Sequence, residues 1–141
     1  MSYMLEIQNI HKTFNAGTIN EKVALNGVNL NLNPGDFVTI IGVFQPHTYT
    51  RTKAFFNEFA EALSHADHLV LADIYAARET DTLGVSSKAL AEEVKKLGTD
   101  AYYFPSFAEI EDFLKEHCSA GDLLITMGAG DVVNIGEDLL K

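Results

Sequence analysis

The sequence contains little cysteine and little positive charge, and it has no long apolar run. Cys118 is the only cysteine among 141 residues, so no internal disulfide can form, which favours a reducing compartment. Ten Lys and Arg against 20 Asp and Glu give a net charge of −10, which argues against binding to nucleic acid or an anionic membrane. No run reaches the roughly 18 apolar residues of a membrane span, and no basic and then apolar leader opens the chain. We therefore expect a cytoplasmic protein.

The first third of the chain has the pattern of a β-hairpin followed by a buried strand. Residues 4–10 and 23–32 alternate apolar and polar side chains, which is typical of half-buried strands that pair antiparallel. Turn residues lie between these segments and again at 33–36. The apolar run from Phe37 predicts a strand that continues through Gly42 to Phe44. A glycine inside a strand lets another backbone come close.

After Pro46 the patterns of helix and strand alternate. Apolar residues recur at helical spacing over 52–66 and 87–97, and a capping box at Ser106 opens a third helix. Apolar runs predict strands at 68–75, 101–104 and 122–127. This alternation predicts an α/β fold, a Rossmann-like parallel sheet with flanking helices, preceded by an antiparallel β-hairpin. The residues expected to face the core from the first two helices are Phe55, Phe59, Leu63, Leu90, Val94 and Leu97.

Residues 1–42 resemble the amino terminus of ABC transporter ATP-binding subunits, on the segments Met4–Asn15, Ala24–Leu30 and Pro34–Gly42. The resemblance implies that Phe14 stacks on an adenine ring. From the residue pattern alone, Phe14 is an aromatic side chain packed at a strand end. Gly42 stands where the phosphate-binding loop should begin, but the lysine and hydroxyl residue of that loop are missing. We therefore expect no ATP hydrolysis by this segment.

Residues 43–141 resemble the carboxy-terminal domain of the Mur ligases, most closely that of the UDP-N-acetylmuramate–L-alanine ligases. The resemblance rests on Val43–Lys53, which contains Phe-Gln-Pro-His and Thr-Arg-Thr, and on Asp73–Tyr75, Gly84–Ser87 and Thr126–Asp131. It implies a domain that closes over a ligase site and helps to hold the incoming amino acid. In that family, ATP and Mg²⁺ bind to a central domain that this chain lacks.

The same resemblance selects His47, Arg51 and Asp73 as residues that face the substrate. A guanidinium such as that of Arg51 meets a carboxylate with two charge-assisted hydrogen bonds. Many relatives carry a second arginine where this chain has Thr48, which leaves a two-arginine clamp open. Without the resemblance, Arg51 reads as a solvated charge, His47 as a turn residue and Asp73 as a loop cap. The turn at 128–131 is expected to be a tight strand-to-helix connection, with anion binding as the alternative.

Together the two resemblances predict a chimera of residues 1–42 and 43–141 that folds as one unit and does not catalyse. We expect no bound cofactor, although both parent families use ATP and Mg²⁺. Two alternatives remain open at this point. The chain could keep weak affinity for L-alanine or ATP through His47, Arg51, Asp73 and Phe14, or it could be a ligase fragment that needs its missing domains. An exposed strand edge also predicts a homodimer.

Overall fold

The chain divides into two units between Phe37 and Val38, which we call the hairpin unit and the α/β unit (Val38–Lys141). The structure is a computed structural model, and it describes residues 2–141. The hairpin unit holds β1 (Leu5–Phe14) and β2 (Lys22–Leu32). The elements of the α/β unit are β3 (Ile40–Gln45), α1 (Tyr49–Ala54), α2 (Phe56–Leu63), β4 (His68–Leu71), α3 (Ser87–Lys96), β5 (Asp100–Tyr103), α4 (Phe107–His117), β6 (Leu123–Gly128) and α5 (Val133–Leu139).

The hairpin unit is a two-stranded antiparallel ribbon, as the alternating pattern predicts. β1 and β2 pair from Leu5 opposite Leu32 to Phe14 opposite Lys22. The ladder is irregular near Asn9, whose N–H donates to the side-chain oxygen of Asn29 at 2.8 Å. The predicted half-burial is wrong for this ribbon, because most of its apolar side chains are exposed within a unit that has no second layer.

The α/β unit is built on a parallel sheet with the strand order β5-β4-β3-β6. Its central strand β3 passes through Gly42 and Val43 without interruption, as predicted. The predicted start at Phe37 is wrong, because β3 begins at Ile40. The Ile40 N–H donates to the Asp67 carboxylate at 2.7 Å, and this contact marks where the ladder begins.

Helices pack on both faces of this sheet. One face carries α2 and α3 over a core formed by Ala60, Leu63, Leu69, Leu71, Leu90, Ala91, Val94 and Ala101. The other carries α4 and α5 over Ile41, Val43, Val70, Ala72, Ile110, Leu114, Val132 and Ile135. Cys118 follows α4 as a partly buried thiol on this second core, and burial raises its pKa. The α/β prediction is therefore confirmed.

The helix predicted over 52–66 is two helices. The chain breaks at Phe55, where φ is −116° and ψ is 27°. The break turns Phe55 out of the apolar stripe and leaves it 50% exposed, while Phe59 and Leu63 stay inward. The prediction that Leu97 faces the core is also wrong, because α3 ends at Lys96 and Leu97 is its exposed cap residue.

The predicted cap at Ser106 and the predicted stop at Gly98 are confirmed. Ser106 caps α4, since its hydroxyl accepts from the Glu109 N–H at 3.3 Å and donates to the Glu109 carboxylate at 2.6 Å. Gly98 follows α3 with φ at 100°, which is a left-handed stop. Among residues 2–141, none of the helices has the length and apolar character needed to cross a membrane.

Candidate functional site

Polar side chains gather where the four parallel strands reach their carboxyl ends. Gln45 is the last residue of β3, Asp73 follows β4, Tyr103 ends β5 and Gly128 ends β6. Open α/β sheets bind ligands beside this edge, because the loops that leave it diverge to opposite faces. We call this cluster the strand-end site. It contains Asp73, one of the three substrate-facing residues that the sequence predicts, and a second, His47, lies beside it.

Asp73 is hydrogen-bonded across the edge on both sides. Its Oδ1 accepts from the Tyr103 hydroxyl at 2.6 Å, and its backbone carbonyl accepts from the Gln45 side-chain amide at 3.2 Å. The hydrogen bond to Asp73, followed by burial, raises the pKa of Tyr103 to about 12. Asp73 therefore ties β3, β4 and β5 together at the point where a ligand would lie.

His47 is fixed against the segment that follows β4. The Tyr75 N–H donates to the Pro46 carbonyl at 2.8 Å, and the Thr48 N–H donates to the Tyr75 carbonyl at 2.9 Å. The rings of His47 and Tyr75 stack with centroids 5.8 Å apart and 16° between their planes. These contacts place His47 beside the same segment that carries Asp73, so the structure brings these two predicted residues to one edge.

Arg51 lies on α1, the helix that follows His47. It is exposed and forms no ion pair within residues 2–141. The Thr48 hydroxyl caps its helix by accepting from the Arg51 N–H at 3.3 Å. Thr48 has φ at 62° and ψ at 146°, which is strained for a residue with a β-carbon. The structure joins Arg51 to the site through this cap and not through a contact with Asp73.

Glu79 is a site residue that the sequence reasoning missed. Its carboxylate accepts from the N–H groups of Tyr49 and, at 3.0 Å, Thr50. Hydrogen bonding to Thr50 is the largest of the effects that lower the Glu79 pKa. The carboxylate thus occupies the amino end of α1, where the positive end of the helix would otherwise meet an anion. No local pattern marks Glu79, because its partners lie about 30 residues away in the chain.

The turn after β6 is closed against Gln45. A β-carbon at Gly128 would lie 2.6 Å from the Gln45 carbonyl oxygen, so only glycine fits there. Gly130 has φ at 93° and lies against the Tyr75 ring. The predicted tight strand-to-helix turn is confirmed. The Gln45 Oε1 is buried beside this turn and has no hydrogen-bond partner within residues 2–141.

The residues around Gly42 do not fit a nucleotide triphosphate. Gly42 pairs with Leu69 of β4 on one side and with Ile125 of β6 on the other, so it lies in the sheet and does not open a phosphate-binding nest. In the described part of the chain, no group of three or more His, Cys, Asp or Glu is arranged to hold a metal ion.

Phe14, the predicted adenine-stacking residue, belongs to the hairpin unit and not to the strand-end site. It ends β1, is 53% exposed and has the Lys12 ammonium 5.1 Å above its ring. Adenine binding by Phe14 remains a prediction.

Comparison with known proteins finds relatives that agree with one another. A family model described as the Mur ligase glutamate ligase domain matches residues 20–130. The UDP-N-acetylmuramate–L-alanine ligase of Lachnospira eligens is 66% identical over 99 residues, which are 70% of this chain and 22% of that protein. The ligase of the same name from Acetivibrio thermocellus is 50% identical over 107 residues, which are 76% of this chain and 23% of that protein.

A solved structure of a ligase of the same kind is also similar to this chain. The crystal structure of UDP-N-acetylmuramate–alanine ligase from Thermotoga maritima superposes with a TM-score of 0.56 and 25% identity, over 74% of this chain and 20% of that one. The chain spans about a fifth of the length of the curated relatives it matches.

The ABC transporter resemblance and the chimera built on it gain no support from these relatives. The family match begins at residue 20, inside the segment assigned to the transporter, and each relative named above is a ligase. The resemblance of residues 43–141 to Mur ligases is confirmed, and the relatives named above are UDP-N-acetylmuramate–L-alanine ligases. The chain belongs to the Mur ligase family and corresponds to the carboxy-terminal, glutamate ligase domain of that family.

Proposed function

We propose that this chain is the amino-acid-positioning module of a UDP-N-acetylmuramate–L-alanine ligase and takes part in ligation only together with the other ligase domains. The observation that carries the proposal is the 66% identity to such a ligase, confined to about a fifth of its length. That fifth includes a well-ordered strand-end site but offers no fit for a triphosphate at Gly42. On its own the chain is therefore expected to be non-catalytic.

Arg51 is the group that we expect to bind the carboxylate of the amino acid. Its guanidinium is exposed and has no carboxylate partner within residues 2–141, so it can donate hydrogen bonds to the carboxylate of a ligand. Two parallel N–H donors on a planar group fix both the position and the direction of a carboxylate. Thr48, which stands where many relatives carry a second arginine, acts as a helix cap, so we expect a one-arginine clamp.

His47 and Asp73 would then orient the other end of the amino acid. The stack on Tyr75 restricts the His47 ring, and the hydrogen bond from Tyr103 restricts the Asp73 carboxylate. Restricting side chains before the ligand arrives reduces the conformational entropy that is lost on binding. The attacking amine needs such an orientation toward an acyl group held by the other domains.

The test is complementation in trans. The Lachnospira ligase truncated to remove its matched 99 residues is mixed with this chain, UDP-N-acetylmuramate, L-alanine, ATP and Mg²⁺, and release of ADP is followed. We expect turnover above that of either part alone, and a loss of at least about tenfold with Arg51→Met. Lys115→Met, which removes a surface cation on α4, is the matched control and should leave the rate unchanged. Equal rates with and without this chain would refute the proposal.

A second candidate is a non-catalytic recombined domain, with residual affinity for an amino acid or adenine nucleotide at most. The division of the chain into two units and the interrupted phosphate-binding motif at Gly42 support it. The complementation assay separates the two candidates, because the recombined domain should not raise the rate of ADP release. Calorimetry with L-alanine and with ATP then measures any residual affinity. Under either candidate function we place the protein in the cytoplasm, because its single cysteine, Cys118, is a free thiol.

A further inference from the structure

One region of the parallel sheet lacks a helix within the α/β unit. The side chains of β3 and β6 that point to the α2 side form the floor of a groove of about 380 Å³, and α2 forms one wall. The groove is lined mainly by apolar groups, including Phe44, Phe59 and Leu63. Ile125 and Met127 on its floor are each 37% exposed. We call this surface the β3–β6 groove.

Gly42 gives the groove its depth. It lies at the centre of the floor, between Leu69 and Met127, whose side chains would lie 3.5 and 3.6 Å from a β-carbon at this position. Parallel strands are normally covered on both faces, because each face is apolar. A floor with glycine at its centre lets a covering element approach closely.

The handedness of the sheet defines what would cover this face. The connections from β3 to β4 and from β4 to β5 run in one direction across the sheet and use α2 and α3 on the groove side. The connection from β5 to β6 runs in the opposite direction and uses α4 on the other side. A strand added outside β6 and followed by a right-handed crossover toward β3 would therefore place its helix over the groove.

The edge that such a strand needs is open. Within residues 2–141, β6 pairs with β3 alone, so its outer N–H and C=O groups have no strand partner. An unpaired edge strand is a template for pairing with another segment. The open edge and the apolar groove are continuous, since Ile125 and Met127 belong to β6 itself.

Charge further restricts the partner. Glu58 lies one helical turn before Ala62, a groove residue, and is exposed beside the groove. The whole α/β unit holds 17 Asp and Glu against eight Lys and Arg. A helix with an apolar stripe flanked by a Lys or Arg would complement this surface, whereas an acidic helix would be repelled.

We propose that the β3–β6 groove and the β6 edge together bind a strand–helix segment of a UDP-N-acetylmuramate–L-alanine ligase, the one that leads into the strand equivalent to β3. Nearly four fifths of the Lachnospira relative lies outside its match, so that protein contains the polypeptide required. The inference rests on the proposed function, because it names how another part of the ligase would be held.

The experiment titrates this chain into a fluorescent peptide and follows its anisotropy. The peptide is the segment of about 30 residues that directly precedes the matched region of the Lachnospira ligase, enough for a strand, a helix and their connections. We expect saturable binding. Ile125→Glu should weaken it at least about tenfold, because a charge would be buried under the helix. Val133→Glu alters an exposed apolar residue on α5 and should change the affinity less than about twofold.

Hydrogen exchange of the β6 amides provides a second measurement that does not depend on any variant. The peptide should slow exchange at β6 and leave β5 unchanged. Absence of saturable binding, equal losses with both variants, or unchanged β6 exchange would overturn the proposal. So would self-association of the chain that Ile125→Glu abolishes, because the occupant would then be a second copy. The peptide-binding assay contains no nucleotide and therefore does not depend on ligation. Peptide binding without complementation refutes only the proposed function, and complementation without peptide binding refutes only this inference.

Discussion

The Tyr103 hydroxyl donates a 2.6 Å hydrogen bond to the Asp73 carboxylate, and this contact joins the carboxyl ends of two neighbouring strands. Asp73 also accepts from the Gln45 side chain through its backbone carbonyl. Three strands are thereby tied at the edge where the ligand is expected. The hydrogen bond orders the site. It also makes the stability of the fold depend on the protonation state of the Tyr103 phenol.

Stability at alkaline pH should depend on Tyr103. Its pKa rises from 10.0 to about 12 because the fold favours the protonated phenol beside Asp73. A raised pKa contributes stability that is complete below pH 10 and is lost as the pH rises toward about 12. We expect the urea midpoint of the wild type to fall over that interval more steeply than that of Tyr103→Phe. Tyr102→Phe, a neighbour whose ring packs on Phe113, is the control and should follow the wild type.

The backbone at Thr48 provides a paired test of strain and capping. Thr48→Ala removes the hydroxyl that caps α1 but keeps a β-carbon at φ 62°, so it should lose about 1 kcal/mol of unfolding free energy. Thr48→Gly also removes the cap but relieves the strain, because glycine adopts this conformation freely. We expect its loss to stay within about 0.5 kcal/mol. Equal losses in urea unfolding would show that no strain is present.

The sequence predicted the α/β layers because alternating helical and apolar patterns are local, but it could not locate what depends on distant contacts. Phe55 fits the helical stripe in spacing, yet the break at this residue turns it outward. The interaction of Glu79 with Tyr49 and Thr50 spans about 30 residues and leaves no periodic pattern. The resemblance to Mur ligases supplied His47, Arg51 and Asp73, and in the structure His47 pairs with the segment that carries Asp73, whereas Arg51 lies on the helix that follows.

We also propose that the edge of the hairpin unit supports a homodimer, since a two-stranded ribbon alone is marginally stable in water. Val28 lies in β2 and is exposed within that unit. A lysine there should oppose strand pairing between copies, so Val28→Lys should shift a concentration-dependent dimer toward monomer in sedimentation velocity. Ile19→Lys alters a fully exposed residue outside both strands and serves as the control. A monomer at all concentrations, or equal effects of the two variants, would contradict the dimer.

The amino end of α1 should loosen in acid because Glu79 holds it. Hydrogen bonding lowers the Glu79 pKa, so its carboxylate contributes stability above the ordinary value of 4.5 and loses it as the pH falls through the lowered value. Amide exchange at Tyr49 and Thr50, corrected for intrinsic rates, should therefore speed up in acid in the wild type. Glu79→Gln should show faster corrected exchange already at neutral pH and little further change in acid. Glu93→Gln removes a surface carboxylate paired with Lys96 and should leave both amides as in the wild type. If Glu79→Gln retained the acid response of the wild type, another group would be holding this helix end, and the assignment of that role to Glu79 would be wrong.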